Sequence, residues 1–247
     1  MLRWKNKPSG VQSTLVLDVD QCLLNSFIAE GDPVNSLELL SVAMQTANVH
    51  NRERMMSTSF HQEGQWYDFC AVKRPGLDDF LAQARQLFDN VGVWTAGAPE
   101  YAAPIVEEIF RDHYIPDFVL TRDDTIKIPG APPGADYHKP LSVIEKKLPN
   151  VGIDRRFTLF LDDTNRNFLH NPDNGITIPR FEPPNIDPFA TGDICLPQLV
   201  SWLQSPAVYE CADVRKLDKT DIFVTPLRAD ITKTPHMHRM SFSARTG

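Results

Sequence analysis

A chain of 247 residues, 42% hydrophobic and 23% charged, has an ordinary globular mixture and enough length to bury a core, which excludes wholesale disorder. A formal charge of −7 argues against a protein that coats nucleic acid with its whole surface, because phosphate binding needs an excess of Lys and Arg. Four cysteines (Cys22, Cys70, Cys195, Cys211) without a CxxC or zinc-type cluster fit free thiols in a reducing, intracellular compartment.

Met1 to Lys7 is basic, but the apolar run Leu15-Val16-Leu17 meets Asp18 and Asp20 at once, which fits neither a signal peptide nor a membrane span. Ser13 to Asp20 reads as a buried parallel strand that delivers acids at its C-terminal end. Residues 25–70 read as an insertion outside the core, with a helix over Ser36 to Met56 from the spacing of Leu37, Leu40, Met44 and Ala47, and a strand over Trp66 to Val72. Leu77 to Phe88 carries Leu77, Phe80, Leu81, Ala84 and Phe88 on one helical face, and Val91 to Trp94 reads as a second buried strand ending at Thr95-Ala96-Gly97.

Pro99 opens the next helix, with Ala102, Ile105, Val106 and Ile109 on one face, and Asp117 to Thr121 reads as a third strand. Ile128 to Gly134 is a Pro-rich loop before His138-Lys139-Pro140 and a helix over Leu141 to Lys147. Arg156 to Leu161 is a fourth strand ending in Asp162-Asp163, then a short helix, a fifth strand over Ile176 to Ile178 and a helix over Leu196 to Leu203. Strands alternating with helices predict an α/β fold, a central parallel sheet with helices on both faces. Three divisions follow: an extension over 1–12, a domain over 13–205 and a basic tail over 206–247. Within the tail, residues 212–247 hold seven Lys/Arg against four Asp.

In an open α/β sheet the ligand site lies outside the carboxyl ends of the strands, so Asp18, Asp20, Thr95, Asp162 and Asp163 are expected to converge. Aspartates at i and i+2 on an extended strand point the same way, and a hard cation such as Mg²⁺ compensates their charge, with Asp163 as a third oxygen ligand. A carboxylate beside Mg²⁺ is suited to attack phosphorus, which makes Asp18 the candidate nucleophile and Asp20 the candidate acid/base. Lys139, Thr95 and the backbone N–H of Ala96 are the candidate donors to the phosphate oxygens.

Taken in order, Asp18-Val19-Asp20, Thr95-Ala96, Lys139 and Asp162-Asp163 resemble the four motifs of haloacid dehalogenase-like phosphatases. Three further stretches are similar to the FCP/SCP group, the phosphatases of the RNA polymerase II C-terminal domain and their small relatives. They are Lys73-Arg74-Pro75-Gly76, Trp94-Thr95-Ala96 with Tyr101-Ala102-Ala103-Pro104, and Leu161-Asp162-Asp163 followed by His170-Asn171-Pro172-Asp173-Asn174. The resemblance spans roughly residues 12–205 and implies a Rossmann-like three-layer sandwich with a small insertion after the first strand. It also implies a phosphoserine or phosphothreonine substrate on a protein, Mg²⁺, an aspartyl-phosphate on Asp18, and a metal ligand in the Asp20 backbone carbonyl. Asp163 would complete the metal shell, and Asp162 would orient Lys139 or a metal-bound water. A nuclear location follows only from the resemblance. Cys22 stands where the family usually has Thr or Val, and the 25–70 insertion is longer than the small relatives' hairpin.

Plainer readings stand beside these. Arg74 suits either a substrate's flanking chain or a surface ion pair, and Cys22 a small buried space-filler. His236 and His238 lack an acidic or thiol partner in sequence and read as solvated. Trp66, Tyr67, Phe69 and Trp94 suit a hydrophobic substrate pocket or the core. Two alternatives remain to the leading function: a phosphotyrosine or small-molecule phosphatase, and an interaction module that recruits a protein partner through its tail.

Overall fold

The computed structural model describes residues 4–27, 53–62, 64–131, 137–182 and 192–223. The first strand, β1 (Gln12–Leu17), is buried on both faces, with Leu15 and Leu17 turned into one apolar cluster and Val16 into another. This period-two split of a β-branched run is what a central parallel strand requires. β1 sits in the middle of a five-stranded parallel sheet of order β10-β9-β1-β5-β6, with β5 (Asn90–Trp94), β6 (Phe118–Leu120), β9 (Ile153–Asp162) and β10 (Gly175–Thr177). The chain runs outward on one side through β5 and β6 and on the other through β9 and β10. The end of β1 is therefore the switch point at which α/β sheets open a crevice.

Three helices, α1 (Leu77–Leu87), α2 (Pro99–Phe110) and α4 (Cys195–Leu203), cover one face and share the larger cluster with Leu15, Leu17, Val91, Val93, Leu159 and Leu161. On the other face, α3 (Leu141–Lys147) contributes Leu141 and Ile144 to the cluster of Val16, Trp94, Phe118 and Phe160. Gly92 is what admits Phe118 there, since a Cβ on it would lie 2.1 Å from the ring. The result is the three-layer α/β arrangement expected from the alternating pattern.

Beyond β1, a three-stranded antiparallel sheet of order β2-β4-β3 is built from β2 (Leu24–Phe27), β3 (Met55–Gln62) and β4 (Gln65–Lys73). Two expectations are corrected here. Met55 and Met56 pair with Val72 and Ala71 in β3 and do not end a helix, while the rest of the expected 36–56 helix, through residue 52, lies outside the described residues. The insertion also joins the core, because Leu24, Met56, Phe60, Phe69 and Ala71 are all buried in the larger cluster. β2, β3 and β4 are cross-strand partners, a long-range property that local periodicity does not encode.

A two-stranded ribbon of β7 (Ile126–Lys127) and β8 (Tyr137–His138) leads into Lys139. Residues near both limits of the described chain join the core. Trp4 donates its indole N–H to the Leu87 carbonyl at 2.9 Å and meets Phe88 and Phe157 edge-on. After Pro206 come a short helix, α5 (Pro206–Tyr209), and a 3-10 turn at Val214–Lys216, with Val208, Val214 and Ile222 buried in the larger cluster. The body therefore continues to Phe223, and the remaining tail, with His236 and His238, lies outside the described residues. No helix among the described residues is long and apolar enough to cross a membrane.

Candidate active site

β1, β5 and β9 end at one level. Leu17 lies opposite Val93 on one side and Leu161 on the other, so Asp18 emerges beside Asp162, with Thr95 one residue beyond β5. The Asp18 amide donates to the Leu161 carbonyl at 2.9 Å, carrying the strand pairing up to the carboxylate. Lys139 reaches across from the loop before α3. Its ammonium donates to Asp18 Oδ1 at 2.6 Å and to Asp162 Oδ2 at 2.8 Å, and all three side chains are almost fully buried.

Lys139 is held from both sides in sequence. Its amide donates to the Asn167 carbonyl at 3.3 Å, and the next helix, α3, is started by the Asn171 side chain accepting from the Leu141 amide at 3.0 Å. Asp162 is fully satisfied: besides Lys139 it accepts from the Thr164 amide at 2.9 Å and from Asn167 Nδ2 at 2.8 Å.

Charge does not balance in this pocket. One ammonium faces two buried carboxylates, with Asp163 adjacent. The two acids hold Lys139 firmly charged against the cost of its own burial, while burial, together with Asp162, pushes the Asp18 carboxyl well above the ordinary range. Asp163 is pushed up as well, mainly by burial and then by Asp162, and Arg180 offsets part of this through an ion pair with its Oδ2 at 3.0 Å. Oxygens of Asp18, Asp162 and Asp163 lie within 4.8 Å of one another. With Asp162 committed to Lys139, Thr164 and Asn167, an all-oxygen donor set of Asp18 and Asp163 and an excess of negative charge fit a small hard cation such as Mg²⁺.

Asp20 points to a different environment. It accepts from the Tyr101 hydroxyl at Oδ1 and, at 3.5 Å, from Thr95 Oγ1 at Oδ2, and it is hydrogen-bonded to the Ser26 side chain. Burial still raises its carboxyl above the usual range. Thr95 is buried, its hydroxyl accepting from the Gly97 amide at 3.0 Å. Arg122 takes up the carbonyls of both Ala96 and Gly97 at 2.8 and 2.9 Å, through its side chain and its amide respectively. That pins the Ala96 turn between β5 and α2.

Several contributors escape a reading by sequence. Arg74 is completely buried: it forms a bidentate pair with Asp193 at 2.8 and 3.0 Å and donates to the Cys22 and Pro179 carbonyls at 3.0 and 2.7 Å. Neither a surface ion pair nor a substrate contact describes it. It fixes the turn after Asp20, where Gln21 adopts a left-handed φ of 60°. Tyr101 is visible in sequence only as part of a family-like stretch, without a role, and Asn167 only as an amide five residues after a strand-end acid.

Cys22 is buried, and burial raises its thiol far above its ordinary value, so it is no reactive thiolate. The expected aromatic pocket does not form as a unit, since Trp94 lies in the cluster across the sheet and Phe69 in the larger core, while Tyr67 stacks on Phe60 at 5.3 Å. The Trp66 side chain lies outside the described residues.

Comparison with known proteins agrees with this architecture. The family model of NLI interacting factor-like phosphatases matches residues 13–215. A probable C-terminal domain small phosphatase of Dictyostelium discoideum is 28% identical over 165 residues, covering 67% of this chain and 43% of the relative. The ubiquitin-like domain-containing CTD phosphatase 1 of Danio rerio is 33% identical over 113 residues, 44% of this chain and 35% of the relative. The chain thus spans about two-fifths of the length of the curated relatives it matches. Among solved structures, fission yeast RNA polymerase II CTD phosphatase Fcp1, as an arginine-to-alanine variant bound to beryllium fluoride, superposes with a TM-score of 0.51 at 23% identity. The match covers 69% of this chain and 42% of that one, a likeness of fold.

Proposed function

The chain belongs to the NLI interacting factor-like phosphatase family, and on that premise we propose that it is a Mg²⁺-dependent phosphatase acting on phosphoserine or phosphothreonine in a protein. The observation that carries this reading is the buried Asp18–Lys139–Asp162 cluster at the switch point of the sheet, with Asp163 beside it. Relatives described as C-terminal-domain phosphatases support a protein substrate.

In this reading an oxygen of Asp18 attacks phosphorus while the bond to the serine or threonine oxygen breaks, and Asp20 gives that oxygen its proton. Asp20 then takes a proton from a water that attacks the aspartyl-phosphate. The bond to Asp18 breaks, inorganic phosphate leaves and both acids return to their starting state. Thr95, the Ala96 amide and Lys139 hold the phosphoryl oxygens, and Lys139 also keeps the nucleophile's charge compensated. Asp18, Asp163 and the Asp20 carbonyl would hold Mg²⁺, which when bound neutralises phosphoryl charge and favours the ionised Asp18. Asp162, with Asn167, orients Lys139.

The test is hydrolysis of p-nitrophenyl phosphate and of phosphoserine, phosphothreonine and phosphotyrosine peptides with Mg²⁺. Asp18→Asn is expected to lose ~10⁴-fold or more in kcat while remaining folded. Full activity in that variant overturns the assignment of Asp18. Preference for the phosphotyrosine peptide overturns the substrate class but leaves the chemistry.

A further inference from the structure

Asp20 is fastened by a route that the reaction scheme above does not use. The Tyr101 hydroxyl donates to its Oδ1, and Ser26 is hydrogen-bonded to both Asp20 and Tyr101. The Tyr101 ring has little freedom. It is 7% exposed and meets Phe60 and Phe69 edge-on at 5.6 and 5.3 Å. It also crosses Gly97 so closely that a Cβ there would lie 2.4 Å from Cδ1. Ser26, Phe60 and Phe69 come one from each strand of the small sheet, so that sheet and α2 together grip a single side chain.

Asp20 Oδ2 meets the Thr95 hydroxyl at 3.5 Å, the outer limit of a hydrogen bond, and that hydroxyl already accepts from the Gly97 amide. A carboxyl that gives a proton and then takes one back must offer the same oxygen twice. Its two oxygens interchange by rotation about the last side-chain bond unless something distinguishes them. A donor fixed on one oxygen makes that distinction, because the bonded oxygen is then an acceptor and the proton resides on the other.

Resting on the reading of Asp20 as acid/base, we propose that Tyr101 is a positioning residue for the reaction: by donating to Oδ1 it assigns proton transfer to Oδ2. Ser26 steadies the pair from the small sheet. The step itself is unchanged, the Oδ2 proton passing to the leaving oxygen as its bond to phosphorus breaks and a water proton returning to Oδ2.

The experiment uses the full chain with Mg²⁺ and a series of phosphate monoesters, from p-nitrophenyl phosphate, whose leaving group needs little protonation, through phenyl phosphate to an alkyl phosphate. Tyr101→Phe is expected to lower kcat by about 3-fold on the first and by about 30-fold or more on the last, steepening the dependence on leaving-group pKa. Ser26→Ala should shift the slope in the same direction by a smaller factor, about 3-fold across the series. Equal losses across the series, or none, in variants whose thermal unfolding is intact overturn the proposal. If Tyr101→Phe does not fold, Ser26→Ala alone decides, and an unchanged slope overturns it. A wild-type chain that hydrolyses none of these esters overturns the proposed function instead, a result distinct from a parallel loss.

Discussion

Asp18 and Asp20 stand two residues apart on one extended segment, yet the protein surrounds them with opposite chemistry. Asp18 faces the parallel sheet and is met by a buried ammonium that it shares with Asp162. Asp20 faces the small antiparallel sheet and is met by the hydroxyls of Tyr101, Thr95 and Ser26. The ammonium beside Asp18 and the hydroxyls beside Asp20 both favour the ionised carboxylate, one by full charge and the other by neutral hydrogen bonds, against burial that raises both groups. The difference is positional as well, since Lys139 reaches Asp18 from the loop before α3, whereas the donors to Asp20 come from α2, the end of β5 and the small sheet.

The largest effect that sharpens this contrast is expected from Lys139→Met, which leaves Asp18 and Asp162 buried without a counter-charge. Unfolding in urea at neutral pH should show a loss of about 3–5 kcal/mol, and an unchanged midpoint would mean that the ammonium is not what makes the Asp18 side tolerable. Addition of Mg²⁺ should act on the same side. At ~100 times its Kd it should raise wild-type stability by about 2.7 kcal/mol in calorimetry, and Asp163→Ala should remove most of that gain. Gly97→Ala tests the other side: the new methyl meets Tyr101, and overpacking of this kind costs about 1–3 kcal/mol. Its unfolding midpoint, compared with that of a Gly130→Ala control placed in open space at φ +79°, separates the clash from backbone strain.

The smallest effect is on pH dependence. Asp18, Asp20 and Asp163 all have folded-state pKa values above their ordinary ones, so between the two values the folded chain binds more protons than the unfolded chain. Without metal, stability should therefore fall as pH rises from about 4 toward neutrality. Lys139, whose value is raised, keeps its contribution throughout that range and loses it only at alkaline pH. Asp163→Asn should flatten the slope and gain stability at pH 7, read from urea midpoints across the range. An unaltered slope would exclude Asp163 as a source.

Much of the candidate site is legible in the sequence because parallel strands write their ends in polar letters. Asp18, Thr95 and Asp162 each close an apolar run, and Lys139 sits between a Pro-rich loop and a helix. What periodicity does not carry is pairing. Met55 and Met56, expected to end a helix, lie in a strand because β3 is decided by β4, its partner across the hairpin. Residues 206–223 show no clear period, yet Val208, Val214 and Ile222 reach the core singly from a short helix, a 3-10 turn and an extended end. The role of Asp162 was left open between lysine and metal because both need only a carboxylate at that position. Its contacts to Asn167 and to the Thr164 amide are set by a turn that the sequence pattern does not show.

Arg74 has a consequence for how this scaffold tolerates change. One side chain ties the turn at Cys22, the Pro179 carbonyl and the Asp193 carboxylate into a single knot, and the Phe181 amide adds a bond to the Gln21 carbonyl. Segments that lie far apart in sequence, at Cys22, Pro179 and Asp193, are thus moored to one guanidinium, so a change at any of them is felt by the turn that carries Asp20.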